Sequence, residues 1–251
     1  DARDENGVRW KVKLGTEARP EVAATRLVWA AGYFADEDYY VPRLQVEGLA
    51  ALKRGQKYLS RDGFVTGARL ERSIPGQRKA GNWSWTDNPF VGSPELNGLK
   101  VLLALINDWD LKEINNSIYQ ERDGERRYAV GDLGASFGRN SNEYARSKGD
   151  ADGYRQSAFI KEIRSDDVDF VLLQTPFWVD ALRTLHAREY GRMDQLVQHI
   201  PRQHATWIGH VLAQLSDDQI AAAFRAAGFS AQEVDELTAT VRDRITRLNA
   251  L

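Results

Sequence analysis

The sequence predicts an α+β protein with a small strand-rich N-terminal part carrying one helix, and a larger helical C-terminal part. Three observations point there. Residues 8–14, "VRWKVKL", alternate apolar and basic side chains with the period of two that marks a half-buried strand. Residues 39–72 carry further short strand-like runs divided by Gly and Asp. From residue 94 onward helical periods dominate. At 251 residues the chain can bury a sizeable core in one domain or in two lobes.

Taken in order, "DENG" just before the first strand is a turn signal, so residues 1–14 read as a β-hairpin. "RPEVAATRLVWAAGY" reads as a helix, with Pro20 in its first turn, Glu21 near its positive end and Gly32 where it stops. "YYVPRLQVEG", "KYLS" and "FVTGARLER" supply the short strands that complete an N-lobe over residues 1–72. Residues 73–93 are rich in Gly, Pro, Ser and Asn and lack a helical period, which makes them the linker or hinge. Trp83 and Trp85 within it imply that it packs on something. The C-lobe, 94–251, is expected to hold helices over 94–106, 177–189, 203–215, 217–227 and 231–248. The last two open with "SDDQ" and "SAQE", both capping-box patterns, and Gly228 divides them. "NSIY" and "RRYAV" read as a strand pair joined by the turn "QERDGE", and the polar stretch 139–160 reads as a solvated, mobile loop.

Composition narrows the function. Hydrophobic residues make up 42% and charged residues 28%, as in ordinary globular proteins. A net charge of −2 with a pI near 6.2 gives no electrostatic case for nucleic acid. The longest apolar run, Val101–Ile106, is far short of the roughly 18 residues that span a bilayer. No cysteine is present, which rules out disulfides and Cys-ligated metals and leaves the compartment open, with the cytoplasm favoured. His186, His199, His204 and His210 lack a metal-binding spacing, and there is no Gly-x-Ser-x-Gly elbow or dinucleotide fingerprint. The chain opens on "DARDENG" without a Met, so a further N-terminal part is expected upstream of residue 1.

Two fragments carry the chemistry. "INDWDLKEINN", 106–116, follows the apolar run "GLKVLLALI" and places Asp110 and Asn115 five apart with Lys112 between them. "YAVGDLGASFG", 128–138, puts Asp132-Leu133-Gly134 at the end of a strand. Phosphoryl transfer needs a carboxylate to orient the acceptor hydroxyl and oxygen ligands for a Mg²⁺ that bridges the phosphates. Asp110 fits the first need, and Asn115 and Asp132 the second. Lys112 would steady the transferring phosphate. Folding "NSIY" against "RRYAV" would bring Asn115 and Asp132 to one end of a hairpin.

"DLKEIN" resembles the catalytic loop of the protein-kinase-like superfamily, and "DLG" resembles its Asp-Phe-Gly magnesium motif. The resemblance implies a two-lobed fold that uses ATP with Mg²⁺ or Mn²⁺. It also implies a strand lysine on the α/β-phosphates, held by a glutamate on the next helix. "WKVKLG" followed by "PEVAATRL" is similar to that pair, with Lys13 the lysine, Lys11 its reserve and Glu21 the glutamate. Asp108 and Trp109 stand where the family has His and Arg, a departure that points to an atypical, bacterial type without a reader for a phosphorylated activation loop. A Gly-rich phosphate loop is expected upstream of residue 1. The acceptor is not legible. A nucleotide-binding pseudokinase and an unrelated α+β interaction domain are the alternative readings.

Overall fold

Alternation in "RWKVKL" becomes β2 (Arg9–Leu14), the second strand of an antiparallel sheet ordered β1-β2-β5-β4. β1 is Ala2–Arg3, β4 Asp38–Gln45 and β5 Phe64–Arg72. Register pairs Lys13 with Arg69 and Lys11 with Glu71, so the cationic positions Lys13 and Arg69 lie side by side on one face of the sheet. The computed structural model describes residues 1–49, 55–140, 146–173 and 193–251. The helix expected over 177–189, and His186 within it, lie outside the described residues.

α1 (Ala18–Ala30) buries Val22, Ala23, Ala24, Leu27 and Val28, the apolar stripe of its helical period. It packs against β4 and β5 on one side and against α5 (Asp217–Ala226) on another. Gly32, at φ +88°, ends it. A second sheet runs β3-β8-β7-β6, from Phe34–Ala35, Arg126–Val130, Ser117–Gln120 and Arg78–Gly81. β3 joins β8 in parallel, while the other pairs are antiparallel. The N-terminal part is therefore stitched into the sheet that carries the two acidic motifs. β6 falls inside the 73–93 segment. Beyond it Trp83 and Trp85 are buried edge to face, and their indole N–H groups donate to Ala129 O at 2.9 Å and Leu111 O at 3.0 Å.

α2 (Pro94–Leu105) starts on Ser93, whose hydroxyl accepts from the Leu96 N–H at 3.1 Å, with Pro94 in the first turn. It packs on α4 (Arg202–Ala213) and α6 (Ala231–Asn249), and the run Val101–Ile106 is fully buried between them. Both expected capping boxes form, Ser216 with Gln219 and Ser230 with Glu233. A small antiparallel sheet, β9 (Ile160–Ile163), β10 (Asp167–Phe170) and β11 (Ile200–Pro201), leads into α4. Among the described residues no helix is long and apolar enough to cross a membrane.

Two expectations are corrected. "KYLS" is not a strand: Gln56–Tyr58 form a 3₁₀ turn, and a single bridge joins Leu59 to Val65. Gly55 at φ +82° turns the chain too tightly for a strand to start there. Within the polar stretch 139–160, expected as a mobile loop, the described residues 146–160 are not a free loop. They contain α3 (Ala151–Gln156), started by the Asp150 carboxylate on the Gly153 N–H at 3.0 Å and anchored by the fully buried Tyr154.

The C-terminal end of α2 depends on a buried cation. Arg244 of α6 is 2% exposed and donates to Leu105 O at 2.7 Å, Tyr154 O at 3.2 Å, and Ser157 O and Oγ at 3.1 and 2.7 Å. Its guanidinium lies 4.2 Å from the Tyr154 ring centroid. It has no carboxylate partner among the described residues. Carbonyls at the negative end of α2 take that place. Replacing Arg244 with Met removes these bonds, leaving Leu105 O with the Tyr154 hydroxyl as its donor, and should cost about 3 kcal/mol of stability in urea unfolding. A loss below about 0.5 kcal/mol, the range of an ordinary surface change, would contradict this role.

Candidate functional site

α2 ends at Leu105, and the chain turns sharply at Asn107, whose φ is +61°. Asn107 is fully buried; its amide donates to Gly138 O at 2.7 Å and its Oδ1 accepts from Asn140 at 2.8 Å. Ile106 O accepts from the Phe137 N–H at 2.8 Å. The start of the first motif is thus fastened to the stretch just after the second. Asp108 is buried, with Oδ1 accepting from the Asp110 N–H at 3.1 Å. Lys112 Nζ lies 2.8 Å from Asp110 Oδ1. Asn115 closes a 3₁₀ turn, Glu113–Asn115, and donates to Asp110 O at 3.3 Å.

The hairpin β7–β8 pairs Ser117 with Ala129, which brings Asn115 to the residue before Asp132. A Cβ on Gly131 would lie 3.2 Å from Asn115 O and 2.5 Å from Asp36 Oδ2, so glycine alone permits that approach. Asp132 adopts a left-handed backbone, φ +55° and ψ +44°, which aspartate tolerates better than most residues. Gly134 is equally constrained, because its Cβ would sit 2.7 Å from Glu17 Cβ.

Lys13 reaches this point from β2. Its ammonium lies 2.7 Å from Glu17 Oε2 and 3.0 Å from Glu21 Oε2, and it donates to Asp132 Oδ1. Glu21 is 1% exposed and also meets Arg69 at 2.9 Å. Arg69, equally buried, continues to Asp38 at 3.3 Å and Glu71 at 2.6 Å, and Thr25 donates to Asp38 at 3.1 Å. Burial pushes the Glu21 carboxyl up against the pull of Arg69 and Lys13, and lifts Asp38 to about 7 despite Arg69. Burial opposes the charge on Lys13, yet Glu21, Asp132 and Glu17 together raise its pKa. Lys11 sits apart, exposed and 3.1 Å from Glu71.

The sequence-predicted residues therefore gather in two adjoining sets: Lys13, Glu21 and Asp132 in one, and Asp110, Lys112 and Asn115 in the other. Glu17, Arg69 and Asp38 were not singled out from the sequence. Glu17 had a signal, since it lies four residues from both Lys13 and Glu21; Arg69 had none beyond a basic residue in a strand. A cavity is lined by Asp36, Glu71, Ser73, Ile74, Gln77 and Tyr119, and neither Asp132 nor Lys13 is among its lining residues. Tyr119 donates to Asp36 at 2.8 Å, and burial lifts Asp36 to about 6. A separate cluster, Asp167, Asp169 and His199, is partly compensated: Arg164 donates to Asp167 at 2.6 Å and to Asp169 at 2.8 Å, and its hydrogen bond holds Asp169 at about 2.

The chain has a kinase-like, two-lobed α+β fold. It is similar to the crystal structure of a Helicobacter pylori proinflammatory kinase, CtkA, with a TM-score of 0.52 over 98% of this chain and 88% of that one, at 11% identity. No protein-family model and no curated protein sequence matches it.

Asp108 makes the site's neighbourhood pH-sensitive. Burial lifts its carboxyl to about 7; the Asp110 N–H pulls it down, and the Asp110 and Asp132 carboxylates push it up. The folded state thus holds a proton that the unfolded chain, near pKa 3.8, has released. This stabilisation is full below about pH 4 and is lost as pH rises to about 7. Asp108→Asn keeps the acceptor for the Asp110 N–H and removes the titration. The drop in Tm between pH 5 and pH 8 should narrow by about 3 °C or more. An unchanged drop would show that Asp108 does not carry it.

Proposed function

We propose that this chain is an atypical kinase-like phosphotransferase that binds ATP with Mg²⁺ or Mn²⁺ and transfers the γ-phosphoryl group to a hydroxyl acceptor. One observation supports this above others: Lys13 meets Glu21 and Asp132 together, at the hairpin end where Asn115 and the Asp110–Lys112 pair also lie. A strand, a helix and two loops supply those groups, and packing alone does not ask for such a convergence of charge.

The donor set suits a hard divalent cation. Asp132 has a 46% exposed carboxylate, and Asn115, donating through its amide nitrogen to Asp110 O, makes no hydrogen bond through Oδ1 among the described residues. Held by Asp132 and Asn115, the metal would neutralise charge building on the β- and γ-phosphates. Lys13, braced by Glu21, binds the phosphate oxygens. Asp110 orients the acceptor hydroxyl and takes its proton as the new P–O bond forms and the bond to the ADP oxygen breaks. Lys112 keeps the Asp110 carboxylate in place and reaches the phosphoryl group in transit.

A nucleotide-binding scaffold without turnover is the second reading, favoured by Asp108 and Trp109 standing where this superfamily has His and Arg. Kinetics separate the two. Asp110→Asn should lower phosphoryl transfer, read as ATP hydrolysis or autophosphorylation, by about 10³-fold with little change in Mg-ATP affinity. Asp132→Asn should abolish metal-dependent ATP binding in calorimetry. Full turnover in Asp110→Asn would overturn the assignment of the base, and wild-type binding without any turnover would favour the scaffold.

A further inference from the structure

Lys148 is held against the stretch that follows Asp132. Ser147 N–H donates to Arg139 O at 3.2 Å, Gly149 N–H to Ser136 O at 3.0 Å and Asp150 N–H to Phe137 O at 2.7 Å. The Arg139 N–H returns a bond to Ser147 Oγ at 2.7 Å. A Cβ on Gly138 would lie 2.0 Å from Ser147 O, so the two stretches approach this closely only because residue 138 is glycine. Lys148 therefore has a fixed origin beside the stretch that follows Asp132.

Its ammonium lies 4.8 Å from the Trp109 ring centroid and donates to Glu17 Oε1. Glu17 is its one carboxylate partner among the described residues. The other Glu17 oxygen, Oε2, is 2.7 Å from Lys13 Nζ. One carboxylate thus spans two lysines from distant parts of the chain, beside Asp132. All three side chains are partly open to solvent, at 25% to 32% exposure. An anion bridging two ammonium groups makes the contacts that a phosphate oxygen pair makes.

We propose that Lys148 is a second phosphate-binding lysine of this cleft, paired with Lys13, and that Glu17 is an internal anion that occupies the pair until the polyphosphate of an incoming nucleotide displaces it. The inference rests on reading the cleft as a phosphate site. Burial works against the charge on Glu17, but the bonds from Lys13 and Lys148 hold its pKa at about 2. Protonation at working pH therefore does not release the lysines. Only a stronger anion does so, and a triphosphate offers several oxygens where the carboxylate offers two. Glu17 sits at the start of α1, with Gly134 beneath its Cβ, and its release removes one of the three carboxylates that hold Lys13.

Calorimetric titration of inorganic tripolyphosphate tests this without the nucleoside. The proteins are the wild type, Glu17→Gln, Lys148→Gln and Lys148→Arg, each checked first for an unchanged far-UV spectrum and cooperative melting. Glu17→Gln should bind tripolyphosphate about tenfold more tightly, Lys148→Gln about tenfold more weakly, and Lys148→Arg near the wild type. A merely structural Glu17–Lys148 bridge predicts that Glu17→Gln binds no better, which would overturn the proposal, as would undiminished binding by a folded Lys148→Gln. Parallel titration of Mg-ATP separates the two claims. That ranking with tripolyphosphate but no ATP binding would sustain the lysine pair and sink the nucleotide reading. Tight ATP binding indifferent to both substitutions would do the reverse. Failure of tripolyphosphate to bind any of the four proteins would overturn the lysine pair.

Discussion

The ion pair between Lys13 and Glu21 is the constraint on which the cleft depends. Glu21 is almost wholly buried, and an unpaired carboxylate there would be strongly destabilising. Lys13 and Arg69 compensate it from two neighbouring strands, Asp38 and Glu71 compensate Arg69 in turn, and Thr25 donates to Asp38. Through this one network β2, β5, β4 and α1 hold a fixed relation. The ammonium left over at its open end is the one that reaches Asp132. Around it the carboxylates of Asp108, Asp110 and Asp132 stand close enough for the latter two to raise the first. Such a concentration of negative charge beside two or three lysines favours an incoming divalent cation with an anionic ligand.

The second support is backbone. Ile106 bonds to Phe137, and Asn107 to Gly138, so the loop carrying Asp110 cannot move independently of the stretch that follows Asp132. The same stretch carries Lys148 through the pairing of 136–139 with 147–150. Behind them Arg244 and Tyr154 close the end of α2. A helix at the far end of the chain therefore sets where the loop carrying Asp110 begins.

Much of this was legible in the sequence wherever local patterns decide structure. The alternation in "RWKVKL", the Pro20 start of α1, the helical period that begins at residue 94 and the capping boxes at Ser216 and Ser230 are short-range signals, and each element formed close to the expected bounds. The motifs Asp110–Asn115 and Asp132–Gly134 were visible for the same reason. What stayed hidden depends on partners far away in the chain. β6 is four residues with no period of their own, and it is a strand because β7 lies beside it. α3 is six residues long with a glycine in it, and Tyr154 packing rather than propensity makes it a helix. Glu17 and Lys148 are separated by 131 residues, and no spacing rule connects them.

The most direct measurement is a crystal grown with Mn²⁺ and a non-hydrolysable ATP analogue, with anomalous scattering used to locate the metal. The central claim predicts a peak within coordination distance of an Asp132 carboxylate oxygen and Asn115 Oδ1, with phosphate oxygens on Lys13. No nucleotide in the cleft, or manganese found only at Asp167, Asp169 and His199, would contradict it.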